Sequence, residues 1–305
     1  MTALIDRSQD LLIELEPVVA ANLDRHLGAA KEWMPHEYVP WDEGRDFVAE
    51  PWSIEQSKLS PVARTAFEVN LLTEDNLPSY HYEIASRFGR DGAWGTWVHQ
   101  WTAEEGRHAM CMRDYLLATR AVDPVQLERD RMAQMRTGYN AGVMSPVEVL
   151  AYVSFQELAT RIAHRNTGRY IDEPWGDKLL ARVAADENLH MIFYRDLVRA
   201  ALEISPNETV RAIAKQAMGF EMPGTGIRDF NRRAVLIAKA GIYDLRIHHD
   251  EVLRPLLRTW KFFEIEGLDD AAEQDREALA KFLADVDAMA SAFSEKREKS
   301  LAASR

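Results

Sequence analysis

Two short segments of the chain place a glutamate three residues before a histidine. Glu105 precedes His108 in the first segment, and Glu187 precedes His190 in the second. On an α-helix this spacing puts both side chains on one face, where a carboxylate and an imidazole can bind the same metal ion. A single Glu-x-x-His pair is weak evidence, because many helices have such a pair at a solvated surface. One copy alone would not predict a metal site.

The same unit occurs twice, and each copy has a further glutamate at a matching distance upstream. Glu74 lies 31 residues before Glu105, and Glu157 lies 30 residues before Glu187. If each unit spans two antiparallel helices, these side chains can meet at one level of a bundle. One glutamate from each of two helices, plus Glu-x-x-His from each of two others, is the ligand arrangement of di-iron carboxylate proteins.

The residue types at these positions suit iron. Two ferrous ions have four positive charges, which four glutamates neutralise while both imidazoles stay neutral, and a carboxylate can bridge two ions. An oxygen-rich ligand set with some imidazole favours iron or manganese over copper or structural zinc. The alternative is an ordinary solvated helix face, but the neighbouring residues are apolar or aromatic: Leu71, Leu72, Leu77, Val153, Phe155, Met191, Ile192 and Phe193. Buried carboxylates require partners, and we therefore predict a metal site.

Long helices must position these residues. Pro and Gly are sparse, and Ser60-Pro61 and Ser145-Pro146 are typical helix starts. Pro78 predicts a kink or break in the helix that contains Glu74. The helix that contains Glu157 is expected to end before Asn166-Thr167-Gly168. We expect an all-α helix bundle with helices over about 11–31, 60–88, 94–121, 145–164, 175–202, 208–220, 228–240, 244–263 and 269–305.

The composition excludes several classes of protein. The 305 residues, of which 47% are apolar, are sufficient for a large core, but no apolar run approaches the ~18–20 residues that cross a bilayer. The N-terminus lacks the apolar block of a signal peptide, so we expect a cytoplasmic protein without a transmembrane segment. Cys111, the only cysteine, is interpreted as a small core residue, and a cysteine-ligated metal site is excluded. The net charge of −12 argues against general nucleic-acid binding.

Four segments in order resemble the soluble acyl-carrier-protein desaturases of plant plastids and actinobacteria, including mycobacteria. They are Leu72–Tyr80, Trp101–His108, Ser154–Thr160 and Ala185–His190, with shorter similarities at Met222-Pro223, Gly241–Tyr243 and Trp260-Lys261. The resemblance covers roughly residues 33–268, and the actinobacterial branch is the more similar. It implies one desaturase domain over 1–305, with a ferritin-like, four-helix di-iron core at about 60–204, additional helices over 205–268 and an amphipathic helical tail over 269–305.

The resemblance also implies roles for the six candidate ligands. Glu105 and Glu187 would bridge two irons. The remaining ligands would complete the two iron sites as pairs, Glu74 with His108 and Glu157 with His190. One departure from the family pattern lies between the ligands of the first copy, where Gly106 stands at a position that is often Asn; a glycine there costs the helix about 1 kcal/mol relative to alanine.

Three further residues match functional positions of the resembled family. Thr160 corresponds to an active-site threonine, although a helix hydroxyl bonded to the carbonyl one turn back is an equal alternative. Asp186 would hold a ligand histidine in its metal-binding tautomer. Trp33 corresponds to a surface tryptophan on an electron route, with ordinary aromatic burial as the alternative.

The activity that the resemblance implies is O2-dependent insertion of a cis double bond into a saturated acyl chain attached to acyl carrier protein. It implies two irons per chain, a ferredoxin-type electron donor and a homodimer. Candidates for a basic patch that docks the acidic carrier protein are Arg228, Arg232, Arg233 and Lys239, although an ordinary solvated helix face is the alternative. Other open possibilities are a different di-iron oxidase or hydroxylase, a ferritin-like iron store, and an inactive paralogue that acts as a binding partner.

Overall fold

Helices make up most of the chain. The computed structural model describes residues 2–224 and 226–303, and no strand occurs in these two ranges. The all-α prediction is therefore confirmed. The helices are α1 (Thr2–Ala29), α2 (Pro61–Glu74), α3 (Leu77–Phe88), α4 (Gly92–Ala118), α5 (Pro124–Thr137), α6 (Pro146–Ile171), α7 (Pro174–Ile204), α8 (Pro206–Met218), α9 (Phe230–Lys239), α10 (Leu245–Ile247), α11 (Arg254–Thr259) and α12 (Asp270–Ala303). Short 3₁₀ turns occur at Pro35–Tyr38, Trp41–Glu43, Ile54–Gln56 and Phe262–Glu264.

A capping side chain followed by proline starts several of these helices. The Ser60 side chain accepts a hydrogen bond from a backbone N–H in the first turn of α2, and the Asp123 side chain does the same in α5. Proline suits the first helical position because an N–H there would have no partner within the helix. Helix α5 lies outside the predicted helices, although Asp123-Pro124 is a start signal of the same kind as Ser60-Pro61.

The predicted break near Pro78 is confirmed. Helix α2 ends at Glu74 and α3 begins at Leu77, so Asp75 and Asn76 separate the two helices. Proline at 78 has no N–H to donate to the carbonyl of Glu74, and an uninterrupted helix would require that bond. The break puts Glu74 at the C-terminal end of α2.

The predicted end of the Glu157 helix before Asn166 is wrong, because α6 continues to Ile171. A Cβ atom on Gly168 would lie 3.2 Å from Cβ of Leu180 on α7, so glycine permits close contact between the two helices. This packing outweighs the ~1 kcal/mol helix penalty of glycine. Helix α6 ends instead at Ile171, and the residue that follows it, Asp172, has a left-handed φ of 50°.

The predicted helix over 244–263 is interrupted. Between α10 and α11, His248–Leu253 forms a π-helical segment. It ends just before Pro255, which has no N–H for the carbonyl of Glu251, so the regular α-helical hydrogen-bond pattern is not available there. The tail prediction is confirmed as α12, with residues 304–305 outside the described part.

A polar layer lies between two apolar clusters along the bundle. On α4, Trp101 belongs to the first cluster and Cys111 to the second. On α7, Met191 belongs to the first cluster and Val183 to the second. Both Glu-x-x-His segments lie between these positions. The apolar contacts on either side therefore fix the helices that hold the polar residues at one depth.

Two features outside this layer complete the architecture. Helix α1 lies against α4 and α7, where the Arg25 side chain forms an ion pair with Asp196. Helix α12 packs against α8. Within the ranges 2–224 and 226–303, no helix is both long and apolar enough to cross a lipid bilayer.

Candidate metal centre

Helices α2, α4, α6 and α7 bring the six candidate ligands to one buried level, where each of them is at most 6% exposed. Their ligand atoms form two groups in which all atoms lie within 4.8 Å of one another. One group contains Glu74, Glu105, His108 and Glu187; the other contains Glu105, Glu157, Glu187 and His190. Glu105 and Glu187 belong to both groups.

Both histidines direct Nδ1 toward these carboxylates. His108 Nδ1 lies 3.3 Å from Glu105 Oε2 and 3.2 Å from Glu187 Oε1. His190 Nδ1 lies 2.9 Å from Glu105 Oε1 and 3.6 Å from Glu157 Oε2. The two oxygens of Glu105 therefore face different histidines.

Several of these converging atoms have no hydrogen-bond partner among the described residues. They are His108 Nδ1, His190 Nδ1, Glu105 Oε1, Glu157 Oε2 and Glu187 Oε1. A buried polar atom without a partner costs about 1–3 kcal/mol, so a group of them facing one another is suited to bind a cation. Carboxylate oxygens and neutral imidazole nitrogens suit iron or manganese. The residues present fit a metal site.

The carboxylates repel one another inside the bundle. Burial raises the pKa of Glu157 well above its usual value, and the negative charge of Glu187 raises it further. Burial and the charge of Glu187 also raise the pKa of Glu105. Without a cation such groups tend to take up protons, whereas divalent ions would compensate their charges and favour the ionised forms.

Asp186 connects a histidine of the cluster to a buried tryptophan. Asp186 Oδ2 lies 3.4 Å from His108 Nε2 and accepts a 2.7 Å hydrogen bond from Trp33 Nε1. A proton held at Nε2 by Asp186 leaves Nδ1 of His108 free for a metal. Trp33 is 3% exposed, so the expectation of a surface tryptophan is wrong. The guanidinium of Arg107, 5.0 Å from the ring centre, covers it.

Glu104 holds the other histidine and is missing from the predicted site residues. Glu104 Oε2 lies 2.8 Å from His190 Nε2, and Glu104 is 4% exposed. A signal for it exists in the sequence, because Glu104 precedes Glu105 just as Asp186 precedes Glu187.

Two more buried side chains contact candidate ligands and were not predicted. His164 Nε2 lies 2.9 Å from Glu74 Oε1, and Trp101 Nε1 donates to Glu157 Oε1 at 3.1 Å. His164 follows Glu157 by seven residues and so shares its helical face, which could have identified it. No local pattern identifies the contact of Trp101.

Thr160 contacts both the cluster and its own helix. Its Oγ1 lies 2.9 Å from Glu187 Oε2 and 3.1 Å from the carbonyl oxygens of Gln156 and Glu157. The hydroxyl thus makes the contact with the carbonyl one turn back that an ordinary helix threonine would make. It also contacts Glu187, a candidate bridging ligand.

A cavity of about 390 Å³ adjoins the cluster. Glu74, Thr160 and His164 form part of its wall. Much of the remaining wall is apolar, including Val69, Ala163, Met222, Phe230, Ala234, Ile237 and Ile242. Its volume is in the range of small-molecule sites, which are typically about 300–1,000 Å³.

A larger groove, of about 1040 Å³, lies away from the cluster between the ends of α1, α6, α8 and α12. None of the six candidate ligands lines it, and its wall includes the charged residues Asp10, Glu14, Glu148, Arg211 and Lys215. Size alone therefore does not identify the reactive site, and the smaller cavity is the one next to ligand atoms.

The candidate docking cations differ in their surroundings. Arg233 is largely buried and pairs with Glu68 at 2.8 Å, while Arg228 pairs with Asp130 at 3.0 Å. Arg232 and Lys239 are exposed and form no ion pair with the described residues. The charges available to a partner on this face are therefore mainly those of Arg232 and Lys239.

Cys111 and Gly106 have no direct part in the cluster. Cys111 is fully buried, as predicted, and burial raises the pKa of its thiol to about 12. A Cβ atom on Gly106 would meet only Leu77, at 3.8 Å, so packing does not require glycine there.

Comparisons with known proteins identify the family of the chain. The model of the fatty acid desaturase family matches residues 7–305. DesA1 of Mycobacterium tuberculosis, described as an acyl-[acyl-carrier-protein] desaturase, is 47% identical over 302 residues, which cover 95% of this chain and 89% of DesA1. The chloroplast stearoyl-[acyl-carrier-protein] 9-desaturase 5 of Oryza sativa is 31% identical, covering 86% of this chain and 72% of the plant protein.

A solved structure gives the same result for the fold. The X-ray structure of the acyl-ACP desaturase homologue DesA2 from Mycobacterium tuberculosis superposes with a TM-score of 0.71 at 32% identity, covering 87% of this chain and 99% of DesA2. The predicted ferritin-like helical fold and the predicted resemblance are both confirmed. The chain belongs to the fatty acid desaturase family, among the acyl-[acyl-carrier-protein] desaturases, and is an oxidoreductase.

Proposed function

We propose that this protein uses two irons and O2 to insert a cis double bond into a saturated acyl chain attached to acyl carrier protein, with electrons from a ferredoxin-type donor. The observation that supports this most directly is the pair of overlapping groups of candidate ligand atoms, several of them without a hydrogen-bond partner, beside a largely apolar cavity. The names of the relatives supply the substrate class.

In this proposal Glu105 and Glu187, which belong to both groups, would be shared by the two irons; Glu74 with His108 would complete the ligand set of one iron, and Glu157 with His190 that of the other. The irons, when bound, would supply the oxygen chemistry that removes hydrogens from unactivated methylenes, for which side-chain acids and bases are insufficient. Asp186 would hold the proton at Nε2 of His108, which keeps Nδ1 available as a ligand.

The cavity would bind and orient the acyl chain. Apolar walls formed by Val69, Ile237 and their neighbours exclude water from the chain and restrict its position relative to the ligands. The Thr160 hydroxyl lies between the cavity and Glu187, where it could hold or move a proton at the Glu187 oxygen.

The contacts of Trp33 support an electron route through Asp186 to His108. Trp33→Phe removes the Nε1 donor while keeping an aromatic ring. We expect turnover driven by a ferredoxin and its reductase to fall about tenfold or more, by analogy with other outer-shell changes at metal sites. Reduction of the centre by dithionite should stay unchanged. An equal fall in both measurements would assign Trp33 to packing alone.

Binding of the acidic carrier protein is assigned to the exposed cations of α9. The double substitution Arg232→Glu with Lys239→Glu should raise the apparent KM for acyl-acyl carrier protein several-fold, more strongly at low salt, because it replaces attraction by repulsion. The matched variant Arg233→Glu should instead lower thermal stability, since Glu68 would lose its partner. An unchanged KM in the double variant would reject this patch.

The test of the whole proposal is product analysis. The protein, loaded with iron, is supplied with O2, ferredoxin, its reductase and a mixed pool of acyl-acyl carrier proteins, and mass spectrometry follows the loss of two hydrogens. Hydroxylated products, or no product despite a full di-iron centre, would contradict the desaturase assignment. Native mass and iron content add a second test: two irons per chain in a homodimer fit the proposal, whereas a large iron-loaded shell fits storage.

A further inference from the structure

We propose that His26, on α1 and outside the four ligand-bearing helices, is a positioning residue of the metal centre: it fixes Glu104, which in turn directs Nδ1 of His190 toward the metal. This inference rests on the metal site proposed above. It extends that site to a fifth helix and makes one half of the centre dependent on α1.

The three side chains form a buried hydrogen-bonded chain. His26 Nε2 lies 3.0 Å from Glu104 Oε2 and 3.2 Å from Glu104 Oε1. His190 Nε2 lies 2.8 Å from the same Oε2 atom. His26, Glu104 and His190 are 3%, 4% and 0% exposed, so water does not replace these contacts.

Aromatic packing holds the His26 ring in place. It stacks on His190 with ring centres 5.8 Å apart and an interplanar angle of 22°. It also lies edge-on to Trp97, at 5.0 Å. The neighbouring ion pair between Arg25 and Asp196 fastens this part of α1 to α7. The position of the His26 nitrogen is thus set by several independent contacts.

In both halves of the centre an acidic side chain accepts a hydrogen bond from a candidate ligand histidine, but the two acidic side chains have different partners of their own. In each half, the residue before a candidate bridging glutamate accepts from the histidine of the opposite helix: Asp186 from His108, and Glu104 from His190. Asp186 is supported by Arg182, which lies on the same helix, α7, and is cationic. Glu104 has no arginine or lysine partner among the described residues; apart from His190, its side-chain partners are Gln100 and His26.

The consequence of losing His26 follows from this difference. Gln100 alone, 2.6 Å from Oε1, would leave Oε2 of Glu104 with His190 as its sole partner. The carboxylate could then rotate, and the imidazole would lose its fixed orientation. Only the half that contains His190 and Glu157 should be affected, because His108 depends on Asp186.

The test is calorimetric and spectroscopic titration of metal-free protein with Co²⁺, followed by the same titration of variants. We expect wild-type protein to bind two Co²⁺ ions per chain. In His26→Ala the affinity for one ion should fall about 10–100-fold, the usual effect of removing an outer partner of a ligand, while the other stays unchanged. His26→Gln, whose amide nitrogen can occupy the position of Nε2, should restore most of that affinity.

Leu23→Ala is the matched control, because Leu23 is a buried core residue on the same helix with an apolar side chain. An equal loss in Leu23→Ala, an equal weakening of both ions in His26→Ala, or no change at all would overturn the positioning role. If wild-type protein binds no Co²⁺, the metal site itself is wrong and the inference fails with it. If the wild-type protein binds two Co²⁺ ions and His26→Ala binds both with unchanged affinity, the positioning role of His26 is rejected while the metal site is retained.

Discussion

Glu105→Gln is expected to abolish both metal-dependent stabilisation and desaturation, while making the metal-free protein more stable. Glu105 belongs to both ligand groups, and its two oxygens face different histidines. A neutral amide does not supply the bridging charge that two ions require. In the metal-free protein, however, the substitution removes one of several crowded acids whose pKa is raised by burial and by Glu187.

The sign of the pH effect follows from that raised pKa. An acid whose pKa rises on folding lowers stability at pH values above its unfolded pKa, about 4.3 for glutamate. Near neutral pH, metal-free Glu105→Gln should therefore be more stable than the wild-type protein, by on the order of 1 kcal/mol or more. The gain should shrink as the pH falls through about 4.3 and should vanish below it, where the carboxyl is protonated in both states.

Thermal unfolding with and without Fe²⁺ or Co²⁺, at several pH values, measures these effects. Glu128→Gln is the matched control, because the Glu128 side chain is 46% exposed and outside the cluster. It should leave both the metal response and the metal-free stability nearly unchanged. A Glu105→Gln protein that still gains stability from metal as wild type does would show that Glu105 is not a shared ligand.

Ala163→Phe is expected to reduce kcat/KM for acyl-acyl carrier protein by about a hundredfold or more while leaving the metal content intact. Ala163 is half-buried on α6, three residues after Thr160, and lines the 390 Å³ cavity. A phenyl ring there would occupy space proposed for the acyl chain. A displacement of about 1 Å between reacting atoms is enough for a hundredfold loss.

Ala163→Ser controls for the position, since its added atom fills little of the cavity. Steady-state kinetics should be close to wild type in the serine variant, and Co²⁺ titration should be close to wild type in both variants. Unchanged kinetics in Ala163→Phe would place the acyl chain elsewhere. Loss of metal binding in Ala163→Phe would mean that the substitution disturbs the cluster rather than the cavity.

The residues that could bind metal, and the helices that present them, were predictable from local patterns in the sequence. Glu105 with His108, and Glu187 with His190, are local pairs, and helical periodicity alone puts each pair on one face. The break near Pro78 was predictable for a similar reason, because the N–H that proline lacks would bond to a carbonyl in the same helical turn. The error at Asn166-Thr167-Gly168 shows the limit of such local rules, since contact with α7 outweighed the weak helix propensity of Gly168.

The residues that surround the candidate ligands come from helices that meet only in the folded protein. Glu104 meets His190, and Asp186 meets His108, across two helices whose relative register no local pattern specifies. His26 reaches Glu104 from 78 residues away in the sequence. Arg233, interpreted from the sequence as a surface cation, proved to be paired with Glu68. Such contacts depend on how whole helices pack. Residue type and spacing could therefore predict the candidate ligands, and the resemblance could indicate Asp186, but neither could predict which histidine each acidic neighbour contacts or that His26 supports Glu104.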